Sequence, residues 1–100
     1  MAKVETLREL IVWQKTMDLA EQVYRGTEQF PIEERYSLAK QLRRASSSIP
    51  ANVAEGFGRH SRGAYRYHVS IAAGSQSELQ THLELAKRLA LLDEERVKHF

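Results

Sequence analysis

From Leu7 to about Gln29, the apolar residues Leu10, Trp13, Met17, Ala20 and Tyr24 recur at spacings of three and four, and Val12, Leu19 and Val23 widen the stripe. That period predicts a first helix with one buried face. Phe30-Pro31 closes it, because proline disfavours helical geometry in the residue before it. Pro31 itself leads into a new helix with Glu33 and Glu34 in its first turn. The second helix then follows Leu38, Leu42, Ala45, Ile49 and Val53. A third spans Gly63 to Leu91, where Tyr65, Ala72, Leu79 and Ala86 repeat every seven residues beside Val69, Gln76, Leu83 and Ala90, predicting two adjacent core columns. Asp93, Glu94 and Glu95 read as the acidic first turn of a fourth helix, of which about two turns precede Phe100. There is no internal repeat and no low-complexity linker.

The second helix carries the least helix-like run of the chain. Pro50 lacks a backbone donor and clashes with the carbonyl of Ser46, at a cost of about 3 kcal/mol, so a bend is expected there. The hydroxyls of Ser46 and Ser47 are placed to bond local carbonyls, and a bend would bring the small faces of Ala45, Ser48, Ala51 and Ala54 close to another helix. Gly56 and Gly58 suit a helix end, and Ser61 suits the cap of the next helix. Ala72, Ala73, Gly74 and Ser75 form a small-residue patch in the third helix. Glycine there costs about 1 kcal/mol against alanine, so it is expected where backbones pack closely.

One hundred residues, 42% of them apolar, make one domain with a single core, near the size where a lone chain is only modestly stable. Without cysteine there is no disulfide framework, no thiolate zinc site and no thiol nucleophile. The start, MAKVETLRELIVWQK, has no apolar run of signal-peptide length, and no stretch approaches the ~20 apolar residues of a membrane span. The expectation is a soluble, cytoplasmic protein.

Net charge is only +2, but it is unevenly spread. Residues 35–68 carry seven Lys/Arg against the single acid Glu55, whereas acids prevail before and slightly after. Lys40, Arg43, Arg44 and Ser47 share one side of the second helix, and Arg59, Arg62 and Arg66 follow the same spacing into the third. Guanidinium groups donate in pairs to phosphate, and Tyr65, Tyr67 and His68 lie close enough to stack on unpaired bases. The alternative is that these arginines pair with carboxylates, within the bundle or across a subunit interface, and that the tyrosines simply pack. Glu55 stands four residues before Arg59, the orientation that favours a helical ion pair, and could also meet Arg43 or Arg44. It has no second carboxylate at a useful spacing for acid–base work. Glu78 and His82 are four apart, but His60, His68 and His99 show no compact ligand spacing, so no metal is expected. The serine triplet lacks nucleophile-elbow glycines and GFGR is too sparse for a phosphate loop, so neither a catalytic residue nor a cofactor is expected.

The run QLRRASSSIPANVAEGFGRHSR (Gln41 to Arg62) resembles the signature of the four-helix bundle proteins typified by the intervening-sequence proteins of large-subunit ribosomal RNA genes and the accessory variability proteins of diversity-generating retroelements. IVWQKTMDLAEQVY (Ile11 to Tyr24), Phe30-Pro31 and HVSIAAGSQSELQTHLELAKRL (His68 to Leu89) extend the likeness over nearly the whole chain. The resemblance implies an all-α, antiparallel up-down four-helix bundle, here with a short or truncated fourth helix where the family pattern continues with a full one. It also implies a non-enzymatic homo-oligomer, a pentameric ring with a basic surface, whose partners are RNA or DNA and, in the retroelement branch, a reverse transcriptase. Arg43, Arg44 and Arg59 match the family's basic signature positions. Lys40, Arg62 and Arg66 join them on charge geometry alone.

Overall fold

The computed structural model describes residues 4–100, and every regular element among them is helical. A 3-10 turn at Leu7–Glu9 precedes α1 (Ile11–Thr27), the single-turn α2 (Ile32–Arg35), the long α3 (Leu38–Gly58) and α4 (Arg62–Arg88), and the short fourth bundle helix α5 (Glu94–Lys98). The first helix is therefore shorter than its apolar stripe. Leu10 is extended (φ −78°, ψ 112°), because the Thr6 hydroxyl donates to Glu9 (3.0 Å) and the Gln14 amide donates across the break to the Arg8 carbonyl (2.6 Å).

α3 is the central element. Leu42, Ala45 and Ser46 are fully buried, and α3 packs along both α1 and α4, antiparallel to each. Core side chains from all three helices, Val23, Leu42, Ile49, Val53, Ala72, Leu79 and Ala86 among them, form one cluster. At one end α5 closes the core, with Phe100 against Gly26 and Val97 packed beside it. Of the two columns expected on α4, Ala72, Leu79 and Ala86 are buried, as is Leu83, but Val69, Gln76 and Ala90 are exposed. α3 packs along the first column, and the buried Leu83 of the second shares a cleft with Val97 and Phe100 at the end of the chain.

α3 runs unbroken across Pro50. The serine hydroxyls do bond backwards, Ser46 to Arg43 O (3.1 Å), Ser47 to Arg44 O (3.3 Å) and Ser48 to Ala45 O (3.0 Å), and Asn52 donates to Ser48 O (2.8 Å). The small residues divide differently from expectation. Gly74 is exposed, with open space where its Cβ would stand, and Ala51 is exposed too. Gly56, read as a helix-end residue, lies buried inside α3. A Cβ there would sit 3.0 Å from His68 Cβ and 3.1 Å from Tyr65 Cα, so it is here that α3 and α4 touch backbone to backbone.

The helix ends show one expected and one unexpected device. Ser61 caps α4 by accepting from Ala64 N (3.1 Å), and Asp93 caps α5 through Arg96 N (2.7 Å). The left-handed positions after α3 and α4 are held by His60 (φ 55°) and Ala90 (φ 59°), not by glycine. At Ala90 the bonds Leu91 N to Ala86 O (2.9 Å) and Ala90 N to Lys87 O (3.0 Å) complete a Schellman motif. Alanine is strained in that conformation by about 1–2 kcal/mol, partly offset by the greater freedom glycine has when unfolded. Ala90→Gly is therefore expected to raise stability by about 0.5–1 kcal/mol, a melting-temperature gain of a few degrees. Ala73→Gly, in the exposed middle of α4, should lower it by about 1 kcal/mol. Thermal melts of the two variants show the opposite signs.

Candidate nucleic-acid interface

The first basic cluster sits where α2 and the start of α3 meet the end of α1. Arg43 is half-buried there. Its Nε donates to Thr27 Oγ1 (2.7 Å), its Nη2 to the Tyr24 carbonyl (3.2 Å), and its guanidinium lies 5.0 Å from the Tyr24 ring centroid. The hydroxyl of Thr27, itself buried, donates onward to Val23 O (2.9 Å). Arg43 thus satisfies a carbonyl in the last turn of α1 and places a cation at the negative end of that helix. It is a strut between α1 and α3. Arg44 crosses to α4, where Glu78 accepts from it and also stands 3.6 Å from His82 Nε2. Lys40 is exposed.

The second cluster surrounds the α3–α4 turn. Arg59 donates to Glu55 through both Nε (3.1 Å) and Nη2 (2.7 Å), the pairing expected from their spacing. That hydrogen-bonded guanidinium holds the Glu55 carboxyl below its ordinary value of 4.5. On α4, Arg88 and Lys87 depress Glu84 in the same way. Arg62 and Arg66 are exposed, one helical turn apart. Among the described residues Lys40, Arg62 and Arg66 form no ion pair. Along the α3 axis Lys40 and Arg59, the outermost members of the two clusters, lie about 28 Å apart at ~1.5 Å per residue, so the clusters make two separate patches.

The six basic residues thus fall into two groups. Arg43, Arg44 and Arg59 are engaged by the protomer's own groups, and Lys40, Arg62 and Arg66 are not. Of the three aromatic candidates, Tyr65 is half-buried against Gly56, His68 Nδ1 stands 3.3 Å from Asn52 Oδ1, and Tyr67 is 63% exposed with its ring edge-on to His68. Sequence reasoning missed Glu78 as the partner of Arg44, although the hairpin register carries that information: α3 and α4 pair positions equidistant from the turn at 59–61. It missed Arg35 as well. That residue lies on the separate turn α2 and lines the shallow cleft that also holds Tyr36, Thr27 and Arg43. Its signal was the onset of the basic segment, not a shared helical face.

Residues 8–100 match the family described as 23S rRNA-intervening sequence protein. The chain belongs to that family. No curated protein matches it significantly. The intervening-sequence family likeness read from the Gln41–Arg62 run therefore holds over nearly the full length, with the α3–α4 hairpin at its centre. Among the described residues of this family member, no helix is long and apolar enough to cross a membrane. None of its described His, Asp and Glu residues form a group of three or more able to hold a metal ion.

Proposed function

We propose that this intervening-sequence family member is a non-enzymatic, cytoplasmic homo-oligomer that binds RNA by its phosphates. The observation carrying this reading is the set of exposed cations, Lys40, Arg62 and Arg66, that form no ion pair among the described residues, whereas Arg44 and Arg59 of the same basic segment each meet a carboxylate. Such unmatched charge attracts a polyanion and gives binding that depends on salt rather than sequence. The family's name points to ribosomal RNA as the class of polyanion; a reverse transcriptase is the partner implied by the retroelement branch of the resemblance. Self-assembly is supported by an apolar groove between α1 and α3, lined by Trp13, Met17, Tyr24, Pro50, Ala51 and Ala54, in which Met17, Tyr24 and Ala51 are exposed. A ring would repeat the cation patches and raise avidity. The pentamer is carried over from the family likeness.

A salt titration with fluorescent RNAs of unrelated sequence tests the binding, and light scattering tests the assembly. Affinities should be alike between sequences, and their logarithm should fall linearly with the logarithm of salt concentration. No binding at low salt would overturn the RNA reading. A single species at the 11.5 kDa chain mass would overturn the oligomer. A second reading is a structural protein–protein interaction module whose arginines serve subunit interfaces; the engagement of Arg43, Arg44 and Arg59 by protein groups favours it. It predicts no polyanion binding at all.

A further inference from the structure

Beside the α3–α4 turn lies a cleft of about 620 Å³, within the range of roughly 300–1,000 Å³ typical of small-ligand pockets. From its chemistry we infer that it takes one unpaired RNA base, so that the protein prefers single-stranded RNA to duplex. The inference rests on the RNA-binding reading and adds the part of the nucleotide recognised. Leu10 and Phe57 give the cleft an apolar wall, and Tyr65 and His60 add two further rings. The Phe57 and His60 rings stand 6.3 Å apart at 55°, so neither covers the face of the other. His60 is exposed and projects from the left-handed turn position.

Charge at the cleft is ordered in a way that suits a nucleotide better than a bare phosphate. Arg62 lines the rim and Arg66 follows one turn along the same helix, both exposed and without a carboxylate partner among the described residues, whereas Arg59 nearby is already matched by Glu55. The cations can take the phosphates flanking an inserted base. The Glu5 carboxylate, also lining the cleft, repels phosphate but accepts from the N–H groups of a base edge. Bases in an A-form duplex are stacked and offer only their edges, so a ring can enter here only from an unpaired strand. Stacking on aromatic side chains is tolerant of sequence, in keeping with phosphate-led binding.

The test compares three probes on the full chain at matched salt: an unstructured RNA strand, an abasic ribose-phosphate strand of equal length, and a paired RNA duplex. The RNA strand should bind about tenfold more tightly than the other two, with a similar salt slope. Tyr65→Leu, which keeps apolar bulk, and His60→Gly, which suits the backbone conformation, should each narrow that gap while leaving abasic-strand affinity unchanged. Equal affinity of wild type for RNA and abasic strands would overturn this inference and leave the proposed function standing. An undiminished preference in both folded variants would overturn the assignment to this cleft. Failure to bind any of the three probes would overturn both readings.

Discussion

Replacing Gly56 by leucine is expected to lower stability by about 3 kcal/mol and the melting temperature by more than about 10 °C. Even a Cβ at this position would stand 3.0 Å from His68 Cβ and 3.1 Å from Tyr65 Cα, and a backbone atom cannot swing away as the end of a long side chain can. The two long helices would have to separate along their shared seam. Gly56→Ala needs a smaller shift and regains helix propensity, so its cost should be about 1–2 kcal/mol. Gly74→Ala meets nothing within 4 Å and should be stabilising by up to about 1 kcal/mol. Melts of the three variants check the contrast, and equal melting temperatures for the Gly56 and Gly74 substitutions would show that the α3–α4 contact is looser than described. Size measured alongside separates an assembly role for the exposed Gly74 face from a folding role.

These two glycines show where the sequence was legible and where it was not. Apolar spacing located the long helices to within a few residues, since that pattern arises from a face turned towards neighbours. It said nothing about which neighbour was present. Val69, Gln76 and Ala90 continue a core column in register but are exposed, whereas Leu83 of that column is buried. Gly74 sits in a run of small residues and Gly56 between Glu55 and Phe57, yet it is Gly56 that the crossing of α3 and α4 requires and Gly74 that is merely tolerated. The break at Leu10 carried no proline or glycine signal because it is held by side-chain bonds from Thr6 and Gln14.

The basic set was legible as composition but not as roles. Arg59 could be paired with Glu55 from local spacing, since both lie on one helical stretch. Arg43 could not be paired in this way, because Thr27 and the Tyr24 carbonyl belong to another helix and neither is charged. Matching positions to the family signature gathered Arg43, Arg44 and Arg59. These are the three that the protomer itself engages. The residues added from charge geometry, Lys40, Arg62 and Arg66, are the ones left with free donors. In this chain the bonds of Arg43, Arg59 and Arg44 hold α3 to α1, to its own last turn and to α4.

That division predicts a dissociation between binding and stability in two triple variants. Changing Lys40, Arg62 and Arg66 together to glutamine removes three exposed charges that form no ion pair among the described residues, so the melting temperature should stay within a few degrees of wild type. Single-stranded RNA affinity, in contrast, should fall on the order of a hundredfold at low salt, and the slope of its logarithm against that of salt should lessen by about 2, at ~0.7 for each phosphate the protein no longer neutralises. Changing Arg43, Arg44 and Arg59 to glutamine should do the reverse. Without the Arg43 guanidinium, the buried Thr27 oxygen loses its donor, at a cost of about 1 kcal/mol, and removal of the interhelical Arg44–Glu78 pair adds a smaller, salt-screened amount. Thermal melts and salt titrations on both folded proteins supply the comparison. If the exposed triple binds RNA as wild type does while the engaged triple, still folded and assembled, fails to bind, the phosphate contacts belong to the signature arginines instead.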